Sequence, residues 1–181
     1  MATKKVTQLT TATSAADLDL VMIVDVDDTA MSPEGTNKQI TKANLLSGVE
    51  EYFTVNGAAN LTQTDERALP LGSSTGESTS FSYIRIFVIP NDCRLVSVTS
   101  VSQSDGGVTD LSAYKPTSDA LVSTFTALGT IQVASHRATG THTFTFDSAT
   151  YDFVVGDRFG LTVESQTNLN GFTYTCLFKT I

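Results

Sequence analysis

The chain has 181 residues and a mass of 19.3 kDa, with 40% hydrophobic and 17% charged residues, no Trp and a formal net charge of −8. This length allows one main domain plus a small appendage, and a mean hydropathy of +0.03 is too apolar for a disordered chain. The 7 Lys+Arg after residue 50 are scattered singly, so there is no basic stripe for nucleic acid. There is also no apolar run of about 20 residues to insert in a membrane, and Cys93 and Cys176 are too few for a disulfide framework or a Cys-based zinc site.

Residues 1–50 read as a small mixed unit. The start, Met1-Ala2-Thr3-Lys4-Lys5, has the positive end of a signal peptide without the apolar stretch that should follow. Val21 to Val24 is a short apolar run bounded by polar residues, the pattern of a buried strand. Ser32-Pro33-Glu34-Gly35 is turn chemistry, and Lys38-Gln39-Ile40 is a second short strand. Thr41 is an N-cap for a brief helix from Lys42 to Ser47, with Leu45 and Leu46 on its packing face and Gly48 as its stop. A unit this small cannot bury enough surface alone, so it is expected to fold against a partner.

Residues 51–80 show little periodicity and are punctuated by Asn56-Gly57, Pro70, Gly72-Ser73-Ser74 and Gly76, which predicts a linker or extended arm. Residues 81–181 read as all-β. Phe81 to Ile89 is expected as a strand closed by Pro90-Asn91-Asp92, and Leu95 to Val101 as the next. Weaker strands fall near 108–114, 121–126 and 130–134. Thr141 to Phe146 alternates, with His142, Phe144 and Phe146 on one face. Tyr151, Phe153 and Val155 alternate towards Gly156-Asp157 and predict a hairpin with the next strand. There Phe159, Leu161 and Val163 face inward, and Arg158, Thr162 and Glu164 face out. Asn170-Gly171 is a second hairpin signal, before a last strand lined by Phe172, Tyr174, Cys176 and Phe178. About eight short strands separated by turns predict an antiparallel β-sandwich of jelly-roll type. The 29 Thr and 18 Ser, well above ordinary usage, suit its outward faces, because Thr is β-branched and polar.

Few residues carry chemistry. Asp25-Val26-Asp27-Asp28-Thr29, directly after an apolar run, resembles the Asp-x-Asp-x-Thr signature of haloacid-dehalogenase-type phosphatases. That resemblance implies Asp25 as nucleophile, Asp27 as proton donor and a bridging Mg²⁺. Such a site also requires a doubly wound α/β sheet, and no long amphipathic helix follows Gly48, so the phosphatase is a remote alternative to a solvated acidic turn. A Ca²⁺ site on Asp25, Asp27 and Asp28 lacks the Gly and closing Glu of a calcium loop. His136 and His142 are the only histidines, and His142 reads as a core or interface residue. Tyr151 to Val163 reads as core packing rather than as a binding role for Asp157 or Arg158. Cys93 and Cys176 suit a disulfide or two buried thiols equally. No Gly-x-Ser-x-Gly elbow, His-Glu-x-x-His pair or phosphate loop occurs. The expectation is a protein that is not an enzyme, with no catalytic, cofactor or metal residues.

The order of motifs in the first quarter of the chain resembles a leader of tailed-bacteriophage virion proteins. The matching pieces are Val6-Thr7-Gln8-Leu9-Thr10, Ala15-Ala16-Asp17-Leu18-Asp19-Leu20, Val24-Asp25-Val26-Asp27-Asp28-Thr29, Ser32 to Lys38 and Ile40-Thr41-Lys42-Ala43-Asn44-Leu45. In that family the leader precedes fibre, spike and capsid-surface domains and is associated with attachment to the particle. Gly156-Asp157-Arg158-Phe159 is similar to a hairpin of trimeric jelly-roll heads on virion surfaces. These resemblances imply a virion surface protein made in the host cytoplasm, with residues 1–50 as attachment module and residues 81–181 as an outward knob. The expected assembly contacts are Leu9, Leu18, Ile23, Ile40, Leu45 and Leu46. The expected partners are other virion proteins of capsid or tail and two further copies in a homotrimer. A capsid decoration or cement protein is the first reading, since 181 residues leave no room for a long shaft. A short fibre or adhesin that binds a host receptor or glycan is the alternative.

Overall fold

A computed structural model describes residues 20–25, 36–41, 49–72, 76–82 and 85–181. The chain divides into two compact units, Met1–Val49 and Glu50–Ile181.

In the first unit, strand β1 (Leu20–Asp25) pairs antiparallel with β2 (Thr36–Thr41), from Leu20 opposite Thr41 to Asp25 opposite Thr36. Both short strands expected from the apolar run and from Lys38-Gln39-Ile40 are present. The expected turn at 32–35 and helix at 42–47 lie outside the described residues, as do Leu9, Leu18, Asp27, Leu45 and Leu46.

The second unit is a sandwich of two antiparallel sheets. Its strands are β3 (Tyr52–Ala59), β4 (Arg67–Ala68), β5 (Phe87–Val88), β6 (Cys93–Val101), β7 (Gly107–Tyr114), β8 (Gln132–His136), β9 (Thr141–Thr145), β10 (Asp152–Phe153), β11 (Arg158–Ser165) and β12 (Phe172–Thr180). Sheet one runs β10-β6-β12-β3, with β9 also pairing β6. Sheet two runs β4-β11-β7-β8, with β5 also pairing β11. The interrupted pairs β4/β5 and β9/β10 each count as one broken strand. Sheet one then holds the sixth, third, eighth and first strands, and sheet two the second, seventh, fourth and fifth. That is the connectivity of an eight-stranded jelly roll, and it leaves most consecutive strands in opposite sheets.

The core lies between the sheets. The alternation in β12 buries Phe172, Tyr174, Cys176 and Phe178 as expected. Phe178 is the hub: it stacks on Phe53 at 4.9 Å and meets Phe159 of sheet two edge-on at 5.1 Å. Phe153 joins both Phe159 and Phe178 edge-on. Such edge-on pairs add about 0.5–1.5 kcal/mol each beyond the area they bury. Cys93 and Cys176 are free, buried thiols. Burial, with Asp92, Asp152 and Asp157 nearby, pushes the Cys93 thiol up to about 11, and burial alone raises that of Cys176.

A second, smaller apolar cluster covers the outer face of sheet two. Phe81, Ala68, Tyr114 and Val122 form it, with Ile86, Phe125 and Ala127 packed against them. Gly160 of β11 makes room for it: a Cβ there would stand 2.3 Å from the Phe81 ring. Thr162 faces the outer side as the alternation predicts but is buried there, and its Oγ1 donates to Glu66 Oε1 at 2.6 Å. The Tyr114 hydroxyl donates to the same oxygen at 2.7 Å. Burial and that carboxylate together hold the Tyr114 hydroxyl above its usual range.

Several expectations are corrected. Residues 51–80 are not a linker: β3 pairs with β12 from Phe172 opposite Ala59 to Lys179 opposite Tyr52, and Leu61, Ala68, Leu69 and Leu71 are buried. The sandwich begins at the start of the second unit rather than at 81, because the Gly and Asn that read as linker punctuation sit within and beside an edge strand. Phe81 to Ile89 is not one long strand: among its described residues only Phe87–Val88 forms a strand, while Phe81 is spent on the outer cluster. Residues 121–126 contain a 3-10 helix at Val122–Thr124 instead of a strand. Neither expected hairpin forms. β10 pairs with β6 and β11 with β7, so Gly156-Asp157 turns the chain from one sheet to the other. Gly156, at φ +87°, adopts there a conformation that side-chain-bearing residues avoid. Val155 is exposed in that turn. Asn170-Gly171 likewise leads from β11 of sheet two into β12 of sheet one.

Candidate functional site

Among the described residues of the second unit, none forms such a cover on the outer face of sheet one. Pairing between β9, β6, β12 and β3 brings their outward residues into three rows of four. One row is Thr143, Thr99, Thr175 and Asn56. On one side of it lies Thr141, Val101, Thr173 and Ala58, and on the other Thr145, Ser97, Leu177 and Thr54. Seven of these twelve positions are Thr and none is charged, in a chain of net charge −8. Period-two alternation puts them there: their strand neighbours Val55, Val98, Phe144, Tyr174 and Cys176 are buried on the other side. The side chains are short, so the strand backbone itself contributes to an open trough of about 890 Å³. Its lining includes Thr54, Asn56, Ala58, Thr99, Val101, Thr173 and Thr175, with Tyr174 and Phe87 also contributing. Thr99 and Thr143 place their hydroxyls 3.4 Å apart across the β6–β9 ladder. The Tyr174 hydroxyl donates to the carbonyl of Pro70, tying β12 to the segment that follows β3, and burial raises its pKa.

One end of the trough meets a charged row. After a bulge at Leu177/Phe178, the next outward positions are Asp152, Arg94, Lys179 and Tyr52. Arg94 grips Asp152 with two bonds, Nε to Oδ1 at 2.6 Å and Nη2 to Oδ2 at 3.1 Å. Lys179 donates to Glu50, as does the Tyr52 hydroxyl. The Lys179 ammonium holds the Glu50 carboxyl below its ordinary range, and Glu50 in turn raises Lys179. Each charge in this row is met by an opposite one, so the rim presents ion pairs rather than a field of one sign.

Sheet two carries a smaller cleft of about 350 Å³ bearing Asp110 and Glu164, which are cross-strand partners. Among the described residues no group of three or more His, Cys, Asp or Glu is placed to hold a metal ion, and no helix is long and apolar enough to cross a membrane.

Of the expected assembly contacts, two fall within described strands. Ile23 pairs with Lys38 and Ile40 with Val21, and this register puts Ile23 and Ile40 at diagonal positions on one face of the β1–β2 ribbon. Asp25 ends β1 opposite Thr36. Every strand pairing among the described residues is antiparallel, unlike the parallel doubly wound sheet that the Asp-x-Asp-x-Thr resemblance would require. His142 is half-buried, and its Nε2 accepts the Arg137 N–H at 3.1 Å. Asp157 pairs with Lys115 at 2.8 Å and accepts the Val154 N–H, and Arg158 pairs with Asp119. Burial opposes ionisation of Asp157, but Lys115 and the Val154 N–H outweigh it and lower its pKa.

The trough is what residue-by-residue reading missed. Its signal is the Thr-x-Thr-x-Thr run 141–145, together with Ser97-x-Thr99 and Thr173-x-Thr175. Each shows a polar face, and only the register brings those faces side by side. No family model matches the chain, and no curated protein matches it.

Proposed function

We propose that this is a non-enzymatic bacteriophage virion structural protein, a capsid decoration or cement protein. Residues of its first unit dock on the particle, and the jelly roll is displayed at the virion surface, three copies together. The observation that carries this reading is the ordered set of leader motifs, with β1 closing on Val24-Asp25 and β2 on Ile40-Thr41. The division of the chain into a small unit carrying that leader and a separate β-sandwich supports it. The chemistry of a cement protein is association: binding only to the assembled shell stabilises that shell by mass action.

A second reading, a short fibre or adhesin, is favoured by one feature, the uncharged trough of sheet one. Immunogold labelling of intact particles with antibody against residues 81–181 separates the two. Regular grains over the head at many copies per particle are the expected result. Grains confined to the tail tip would replace the cement role with the adhesin. Absence of label from every particle would overturn the virion reading. Light scattering of the purified chain should return three times 19.3 kDa; a monomer at all concentrations would remove the trimer.

A further inference from the structure

We infer that the trough on the outer face of sheet one binds a neutral oligosaccharide, laid across strands β3, β12 and β6. This inference rests on the adhesin reading and gives that reading a site. The occupant follows from the chemistry of the floor. An ionic ligand would need uncompensated charge, and the trough has none: none of its lining residues is charged, and the row at its end is internally paired through Arg94–Asp152 and Lys179–Glu50. A purely apolar ligand would need a continuous greasy surface, whereas Val101 and Ala58 are separated by Thr173. A neutral sugar matches both properties, since its edges are hydroxyls and its ring faces are C–H.

Spacing supports the same choice. Neighbouring strands lie about 4.8 Å apart across the sheet, and alternate residues sit about 6.7 Å apart along each strand, so the hydroxyls form a two-dimensional array. Each Thr hydroxyl donates once and accepts twice, so one array serves donors and acceptors of either orientation. Asn56 adds an amide that offers both, and the Thr methyl groups give the C–H faces something to rest on. The trough's 890 Å³ lies within the range of about 300–1,000 Å³ usual for small-molecule sites. Its openness to solvent suits an extended chain entering from either end rather than an enclosed monosaccharide.

The test uses the full chain, isotopically labelled, titrated with neutral hexasaccharides (maltohexaose, cellohexaose, laminarihexaose and the N-acetylglucosamine hexamer) and with hexagalacturonate as the charged control. The expected result is saturable movement of the amide resonances of Asn56, Thr99, Val101 and Thr175 with at least one neutral probe, and none with the charged one. Thr99→Val with Thr175→Val keeps shape and removes two hydroxyls, so it should weaken that binding about tenfold at unchanged melting temperature. Thr175→Ser, which keeps the hydroxyl, should bind within about twofold of the parent. Movement confined to other residues, preference for hexagalacturonate, or no response to any neutral probe would overturn the inference. Competition then separates this from failure of the adhesin reading. If the probes fail yet the purified chain blocks adsorption of particles to cells, the adhesin stands without this site. If it blocks nothing, both fall.

Discussion

The two sheets of the jelly roll have the same period-two alternation and opposite fates on their outer faces. On sheet two, Phe81, Val122 and their neighbours close over Gly160, Thr162 and Tyr114, so β11 is buried on both sides through most of its length. On sheet one, Thr99 and Thr175 line a charge-free open trough, with Thr143 exposed beside it. The same residue type does different work in the two places. Thr162 is buried and donates its hydroxyl hydrogen bond to Glu66, because a buried donor without a partner is costly. The hydroxyls of the open face carry no such burial constraint. A sheet face becomes a site or a second core according to whether a connecting segment has apolar residues to lay across it.

The largest expected effect tests whether that cover is part of the folded core. Phe81→Ala removes a fully buried ring and should cost about 3–5 kcal/mol in urea unfolding. A cost below about 1 kcal/mol would mean that the outer cluster is ornamental and that the two faces differ less than the packing indicates. Next comes one substitution made on both faces. Thr162→Val should cost about 1.5–3 kcal/mol, since it removes a hydrogen bond to a carboxylate, whereas Thr99→Val should stay within about 0.5 kcal/mol. Equal costs would break the comparison.

A smaller effect concerns the uncovered part of sheet two, where Asp110 and Glu164 face each other across β7 and β11. Like charges so placed are destabilising. Glu164→Lys should therefore raise stability by about 0.2–1 kcal/mol, an advantage that 1 M salt should largely erase. A pH-dependent effect lies in the interior of sheet one. The folded Cys93 thiol keeps its proton to about 11, while the unfolded chain loses it from its ordinary value near 9. The stability this group contributes is therefore complete below about pH 9 and declines as pH rises towards 11. Urea midpoints near pH 8 and near pH 10.5 should show a fall that Cys93→Ala makes shallower; an identical fall in both proteins would assign it elsewhere.

Much of this architecture is legible along single strands. The alternation of Phe172, Tyr174, Cys176 and Phe178, the run Leu95 to Val101, and the Thr-x-Thr-x-Thr of 141–145 each declare a strand with one inner and one outer face. Legibility fails where a residue's burial comes from something other than its strand. Phe81 and Val122 look like strand residues because they are aromatic or β-branched, yet they are buried by lying across a sheet rather than within one. Tyr52 to Ala59 looks like a linker because Asn56 and Gly57 interrupt it, yet β12 supplies the hydrogen bonds that make it an edge strand. The turn signals at Gly156-Asp157 and Asn170-Gly171 correctly mark reversals, but a turn does not specify whether the chain returns to the same sheet.

What the sequence by itself determined is therefore local: strand content, the inner and outer face of most strands, the jelly-roll class inferred from about eight alternating segments, and the absence of charge from each Thr-rich stretch. Tertiary structure alone decided the partners. It set β6 between β12 and β9, placed β3 at the edge, and thereby gathered residues 54, 99 and 175 onto one floor. The physical reason is that alternation is a property of one backbone, fixed by the geometry of successive residues, whereas a trough is a property of register between backbones distant in sequence. That register is selected by the packing of Phe53, Phe153, Phe159 and Phe178 on the opposite side of the same sheet.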